Sequence, residues 1–179
     1  EIAQCLVGSE MCIRDSLWGE DEARETIKGI LPLVDVLFVS EETSRRMFQK
    51  TGELQDIMKS YAQEYGVKIV ATTQRTVLSP RKHNFTSVLY SAQQDAFYTE
   101  PPYTNIDVID RIGSGDAYVA GVLFGLLKYG DPQKAMQFGN ATSSVKNTVP
   151  GDLPSSDFKE IDRIIREHNA TGPVSEMNR

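Results

Sequence analysis

The chain has 179 residues, 40% of them hydrophobic, and a formal net charge of −6. That length allows a domain with a buried core, and the acidic balance argues against a nucleic acid or an anionic membrane surface as partner. No apolar run approaches the ~20 residues that span a bilayer and no signal-peptide pattern opens the chain, while Cys5 and Cys12 are too few for a disulfide framework and lack metal-site spacing; a cytoplasmic protein is expected.

Residues 1–16, EIAQCLVGSEMCIRDS, hold both cysteines and follow no helical or strand period. The piece VGSEMCIRDS resembles translated adapter sequence, so 1–16 is expected to be non-native and the domain to begin near Leu17. From there helices and strands alternate. Ala23, Ile27, Ile30 and Leu31 form a helical stripe that Pro32 closes. Val34 to Val39 reads as a buried strand, interrupted only by Asp35. Ser40 can cap a helix running through Met47 and Phe48, with Glu41 and Glu42 in its first turn. Leu54, Ile57, Met58, Tyr61 and Tyr65 mark a helix that Gly66 can end. Val67 to Ala71 is the next strand, and Thr72 to Asn84 reads as a polar connection whose start, Thr72–Arg75, is a turn.

Phe85–Tyr90 and Ala96–Thr99 read as paired short strands, and Ile106–Ile109 as a buried one. A helix is expected from Ala117 to Tyr129, and another from Asp131–Pro132 to Lys146. Asn147–Pro154 is a loop, Phe158, Ile161, Ile164 and Ile165 define a last amphipathic helix, and 169–179 is a polar tail. This alternation implies βαβ units in a mostly parallel sheet with helices on both faces, ligands sitting at the carboxyl ends of the strands.

The stretch with chemical content is Asp110-Arg111-Ile112-Gly113-Ser114-Gly115-Asp116. A strand, a glycine-bracketed turn and a helix aim backbone N–H groups at an anion. Gly113 and Gly115 permit close approach and unusual dihedrals. Asp116 falls in the first helical turn, where the positive helix end keeps a carboxylate ionised. A carboxylate beside an anion cradle suits a base that takes a proton from an attacking hydroxyl, which reads as phosphoryl transfer. A dinucleotide fingerprint fails because Tyr118 stands at its third position, and no Walker A loop is present. Without a ligand, the turn can be a plain tight turn, and the small residues Ala117, Gly121 and Gly125 can simply let the helix pack close to a neighbour.

The whole stretch resembles the signature of the ribokinase-like (PfkB) carbohydrate kinases, D-T-x-G-A-G-D-x-F-x-A-G. Asp110, Gly113, Gly115, Asp116 and Gly121 match it, with Ser114 for Ala and Tyr118 for Phe. Asp110-Arg111 resembles the branch containing 2-keto-3-deoxygluconate kinases, as does Phe138 to Asp152 set against A-x-A-x-x-A-L-K-H-T-I-P-G-D. The resemblance covers residues 17–168 and corresponds to the C-terminal half of such a kinase. It implies an α/β, ribokinase-like fold and an ATP-dependent kinase that uses Mg²⁺. Asp116 would be the base, and Gly113, Ser114 and Gly115 the anion hole.

Asn140 would line the adenine pocket, with Thr72 and Gln74 along the nucleotide, and Asp110 would offer its main chain to a monovalent cation such as K⁺. Ser40-Glu41-Glu42-Thr43 takes the place of the family's N-x-x-E motif and keeps neither its Asn nor its final Glu, which leaves Mg²⁺ organisation open. The family's lid, Gly-Gly substrate motif and customary dimer interface do not precede Leu17. The chain by itself is therefore expected to be inactive, and its parent to be a homodimer or higher homo-oligomer. The implied substrate is 2-keto-3-deoxygluconate. Ribose, fructose or a nucleoside are alternatives within the family, and a non-catalytic nucleotide-binding module is the alternative outside it.

Overall fold

A computed structural model describes residues 19–170 and the backbone of Ile2–Gln4. The segment 1–16 lies outside the described residues apart from that short backbone, which forms β1, and the tail beyond Ala170 lies outside them as well. The chain divides into two units. The first holds the chain up to Gln74 together with Thr86–Glu100, and the second holds Arg75–Phe85 and everything from Pro101 onward.

In the first unit, α1 (Glu20–Ile30) opens on Glu20, Asp21 and Glu22 and carries Lys28 in its last turn. Those charges complement the helix dipole at both ends. Ala23 and Leu31 of the expected stripe are buried, whereas Ile30 is exposed. Pro32 sits in a 3₁₀ turn, Leu31–Leu33, which stops the helix. The strand read at Val34–Val39 is the shorter β2 (Val36–Phe38). Ser40 caps α2 (Glu41–Arg46), its Oγ accepting the Thr43 N–H at 3.0 Å. Gly66, at φ 74°, terminates α3 (Leu54–Tyr65) as expected.

β1 pairs parallel with β2, and β2 parallel with the start of β3 (Ile69–Ser79). Leu37, Val70, Ile57, Met58 and Tyr61 share one apolar core with Val88 and Tyr90. Tyr61 is fully buried, and its hydroxyl donates to Ser44 Oγ at 3.0 Å, which satisfies the one polar atom it carries inward.

The polar connection read at Thr72–Asn84 is corrected by the structure. β3 continues to Ser79, Pro80 and Arg81 make the turn, and β4 (Lys82–Ser91) returns. The segment from Thr73 to Ser79 is exposed throughout, so it shows no apolar alternation, yet Thr73, Thr76 and Val77 are β-branched and suit an extended backbone. Thr72 and Gln74 consequently lie on a strand and not in a turn.

β5 (Ala96–Thr99) pairs antiparallel with the end of β4, in the expected place. β6 (Tyr103–Asp107) pairs antiparallel with the beginning of β4. The strand expected at Ile106–Ile109 thus stops at Asp107, leaving Ile109 64% exposed. Strand order is β1-β2-β3-β4-β5 with β6 on β4. The α/β class holds, but the described sheet is mixed where a mostly parallel one was expected, because β4 returns through a tight hairpin and not through a crossover helix.

The second unit is built on α4 (Ser114–Tyr129), α5 (Pro132–Lys146) and α6 (Phe158–His168). Asp131 caps α5 by accepting the N–H groups of Gln133 and Lys134. The small residues of α4 meet backbone: a Cβ on Gly125 would lie 2.4 Å from Ala135 Cα, and one on Gly121 2.6 Å from the Phe138 carbonyl oxygen. The helices therefore approach as closely as the stripe in the sequence allowed. Phe138 stacks on Phe158, and Ile161 and Ile165 close the far side of this core. Among the described residues no helix is long and apolar enough to cross a membrane.

Candidate active site

Between β6 and α4 the chain must turn sharply, and Gly113 makes that turn. It is the N-cap of α4 with φ 77°, a conformation that a residue with a Cβ adopts only with strain. Space forbids a side chain as well, since a Cβ there would sit 1.8 Å from the Asp152 carbonyl oxygen. Gly115 differs from expectation. It lies inside α4, has no positive φ, and a Cβ on it would meet nothing within 4 Å. Its lack of a side chain leaves the exposed helix start bare, with backbone N–H groups of the kind that can meet an anion.

Ser114 donates its N–H to the Arg111 carbonyl at 3.1 Å. Of the three residues read as an anion hole, Ser114 is the one whose amide is spent on the turn itself. Asp116 follows in the first turn of α4 and is exposed.

The turn is held from behind by the segment after α5. Asn147 accepts at its carbonyl the N–H groups of Ile109, at 2.8 Å, and Asp110, at 3.3 Å. The Asp110 carboxylate accepts the Ile112 N–H at 3.0 Å and, across 41 residues, the Gly151 N–H at 3.1 Å. The Ile112 N–H above all, with the Gly151 N–H and the positive Lys146, holds the Asp110 carboxyl below the usual carboxylate range and outweighs burial, the second-largest effect, which raises it. Ser143 Oγ donates to the Ser114 carbonyl at 3.0 Å, pinning the first turn of α4 to α5. Lys146 is fully buried, and its ammonium donates to the carbonyls of Asp110, at 3.2 Å, and Val149, at 3.4 Å.

Reading the sequence for function singled out Gly113 to Asp116 but gave no task to Ser143, Lys146, Asn147 or Gly151. The available signal was the resemblance of Phe138 to Asp152 to a family motif, which includes Lys146 and Gly151.

The remaining residues distribute as follows. Asn140 stands in the middle of α5, fully buried. Thr72 is buried in the first unit, where its hydroxyl donates to the Val39 carbonyl, so that hydroxyl serves the junction of β2 and β3. Gln74 is exposed on β3, also in the first unit, while Asp110, Gly113–Asp116 and Asn140 belong to the second. Glu41 is paired with Arg45 one turn on, at 2.6 Å, as a helix-surface ion pair. Among the described residues no group of three or more His, Cys, Asp or Glu is placed to hold a metal ion.

Residues 2–158 match the family model described as pfkB family carbohydrate kinase. The chain is 29% identical over 157 residues to a 2-dehydro-3-deoxygalactonokinase of Haloferax volcanii, covering 88% of this chain and 46% of that protein. It is 31% identical over 119 residues to a fructokinase of Escherichia coli, covering 66% of this chain and 35% of that protein. Among solved structures, a 2-dehydro-3-deoxygluconokinase of Thermotoga maritima superimposes with a TM-score of 0.78 at 25% identity, covering 84% of this chain and 47% of that one. The chain spans less than half the length of these relatives.

Proposed function

Because the chain belongs to the pfkB family of carbohydrate kinases, we propose that it carries the phosphoryl-transfer half of an ATP-dependent sugar-acid kinase acting on 2-keto-3-deoxygluconate at its primary hydroxyl. The observation that supports this most is the placement of Asp116 in the first turn of α4, directly after a turn whose Gly113 cannot carry a side chain. In this reading Asp116 takes the proton of the attacking hydroxyl. The amides at the start of α4 hold the negative charge that builds on the transferring phosphoryl group, helped by the positive end of the helix.

When bound, ATP would supply that phosphoryl group and Mg²⁺ would neutralise its charge. The chain's donor set fits a metal carried in on the nucleotide's phosphates better than a protein-built cage, since no acidic cluster occurs among the described residues. Asn140 is proposed for the adenine pocket, with Thr72 and Gln74 along the nucleotide. Thr72 would contribute through its backbone, its hydroxyl being engaged with Val39.

A second substrate reading has specific support: the relative from Haloferax volcanii is a 2-dehydro-3-deoxygalactonokinase. The galactonate compound is then the first competitor to test, and fructose, from the Escherichia coli relative, the second. The experiment is ADP release from Mg·ATP, measured on the protein as its natural gene encodes it. Wild type and Asp116→Asn are compared on the two keto-deoxy acids, ribose and fructose. Selective turnover of 2-keto-3-deoxygluconate that falls about 10²–10⁴-fold in Asp116→Asn is the expected result. Preference for another sugar replaces the substrate, and turnover that survives Asp116→Asn removes the base.

A further inference from the structure

A buried ammonium is costly to desolvate and is retained where oxygen atoms replace its water. Lys146 ends α5 with no exposed surface, and its Nζ reaches two main-chain carbonyls, Asp110 at 3.2 Å and Val149 at 3.4 Å. These carbonyls belong to the two segments that together make the turn. Asp110 leads into Gly113, and Val149 leads through Gly151 to Asp152, whose carbonyl packs against Gly113. The same two segments are joined a second time by the Asp110 carboxylate on the Gly151 N–H. A monovalent metal ion held through the Asp110 main chain would need the oxygen that the ammonium already occupies, and the two positive charges would repel.

We infer that the Lys146 ammonium is the resident cation of this site: it clamps the Asp110 and Val149 segments together behind the glycine turn, and it displaces the K⁺ that the Asp110 main chain would otherwise attract. This inference deepens the reading of Gly113–Asp116 as a phosphoryl site, because a fixed positive charge behind that turn favours an anion in front of it. Lys146 is thus a positioning residue that acts through the Asp110 and Val149 carbonyls. Its charge replaces a loosely held ion by a covalently tethered one, so that the turn keeps its shape whatever salt surrounds it.

The test is thermal unfolding of the chain at constant ionic strength in KCl, NaCl and tetramethylammonium chloride. Wild type should show the same Tm in all three. Lys146→Ala uncovers the carbonyls and leaves space behind them. Its Tm should fall by several degrees in tetramethylammonium and recover by at least half in K⁺. Lys146→Met fills the space without charge and should be lowered in every salt. A wild-type Tm raised selectively by K⁺ overturns the inference, as does a Lys146→Ala loss that no ion repairs. If Lys146→Ala does not fold in any salt, the wild-type series decides in the same two directions. None of these readouts involves turnover, so they stand or fall separately from the kinase assignment.

Discussion

His83 sits in an environment at odds with its chemistry. It is 2% exposed, and neither ring nitrogen has a hydrogen-bond partner among the described residues. Burial first, then the positive charges of Arg75 and Arg111, push its pKa below the ordinary histidine value. The unfolded chain takes up a proton near pH ~6.5 that the folded chain refuses until the pH is lower. Stability is then complete above the unfolded value and is lost as pH falls through the window beneath it. The expected outcome is a Tm that drops as pH falls below about 6.5 in wild type and drops less in His83→Phe, followed by calorimetry.

Gly115 can be filled without disturbing the fold. Alanine fits its helical backbone without a clash, so Gly115→Ala should unfold at the same or a slightly higher temperature, by up to ~1 kcal/mol of added stability. If a phosphoryl group approaches the bare helix start, the same variant should lose about 10²-fold in ADP release through misplacement of the reacting groups. A stable variant with unchanged turnover would separate Gly115 from the site.

For helices the decisive contact is α4 against α5. A Cβ on Gly125 would meet Ala135 Cα at 2.4 Å and Ala135 N at 2.9 Å. Backbone cannot swing aside as a side chain can, so Gly125→Ala should cost ~1–3 kcal/mol by overpacking, read as a lower denaturation midpoint. Leu127 on the same helix is 87% exposed, and Leu127→Gln should stay within ~0.5 kcal/mol of wild type. The stripe of small residues was legible in the sequence because helical spacing alone places Ala117, Gly121 and Gly125 on one face. The β3–β4 hairpin was not, since a strand exposed on both faces carries no alternation to read. Its two-residue turn, Pro80-Arg81, also lacks the glycine or asparagine that usually signals a hairpin.

Across the whole molecule, binding and chemistry should separate. Mg·ATP at about 100 times its Kd should stabilise the folded protein by ~2.7 kcal/mol. On the proposed reading, Asp116→Asn should keep that rise in Tm while turnover collapses, because it would remove the proposed base and leave the amides at the start of α4 in place. Loss of both would mean that Asp116 supports the nucleotide and not the proton transfer.

The sequence by itself determined the local devices: the Ser40 cap, the helix start at Asp131–Pro132, the Gly66 stop, the glycine turn ahead of an apolar helix, and the acidic residue in its first turn. Each depends on residues within one or two turns of one another, where spacing and side-chain type suffice. Only the tertiary structure decided how that turn is held. The Asp110 carboxylate meets the Gly151 N–H across 41 residues, and Lys146 meets the Asp110 carbonyl across 36. It likewise decided that β4 and β6 run antiparallel and that Gly113 is fixed as much by the Asp152 carbonyl as by its own dihedral. These are contacts between segments far apart in the chain, and no local spacing encodes which buried oxygen a distant ammonium will find.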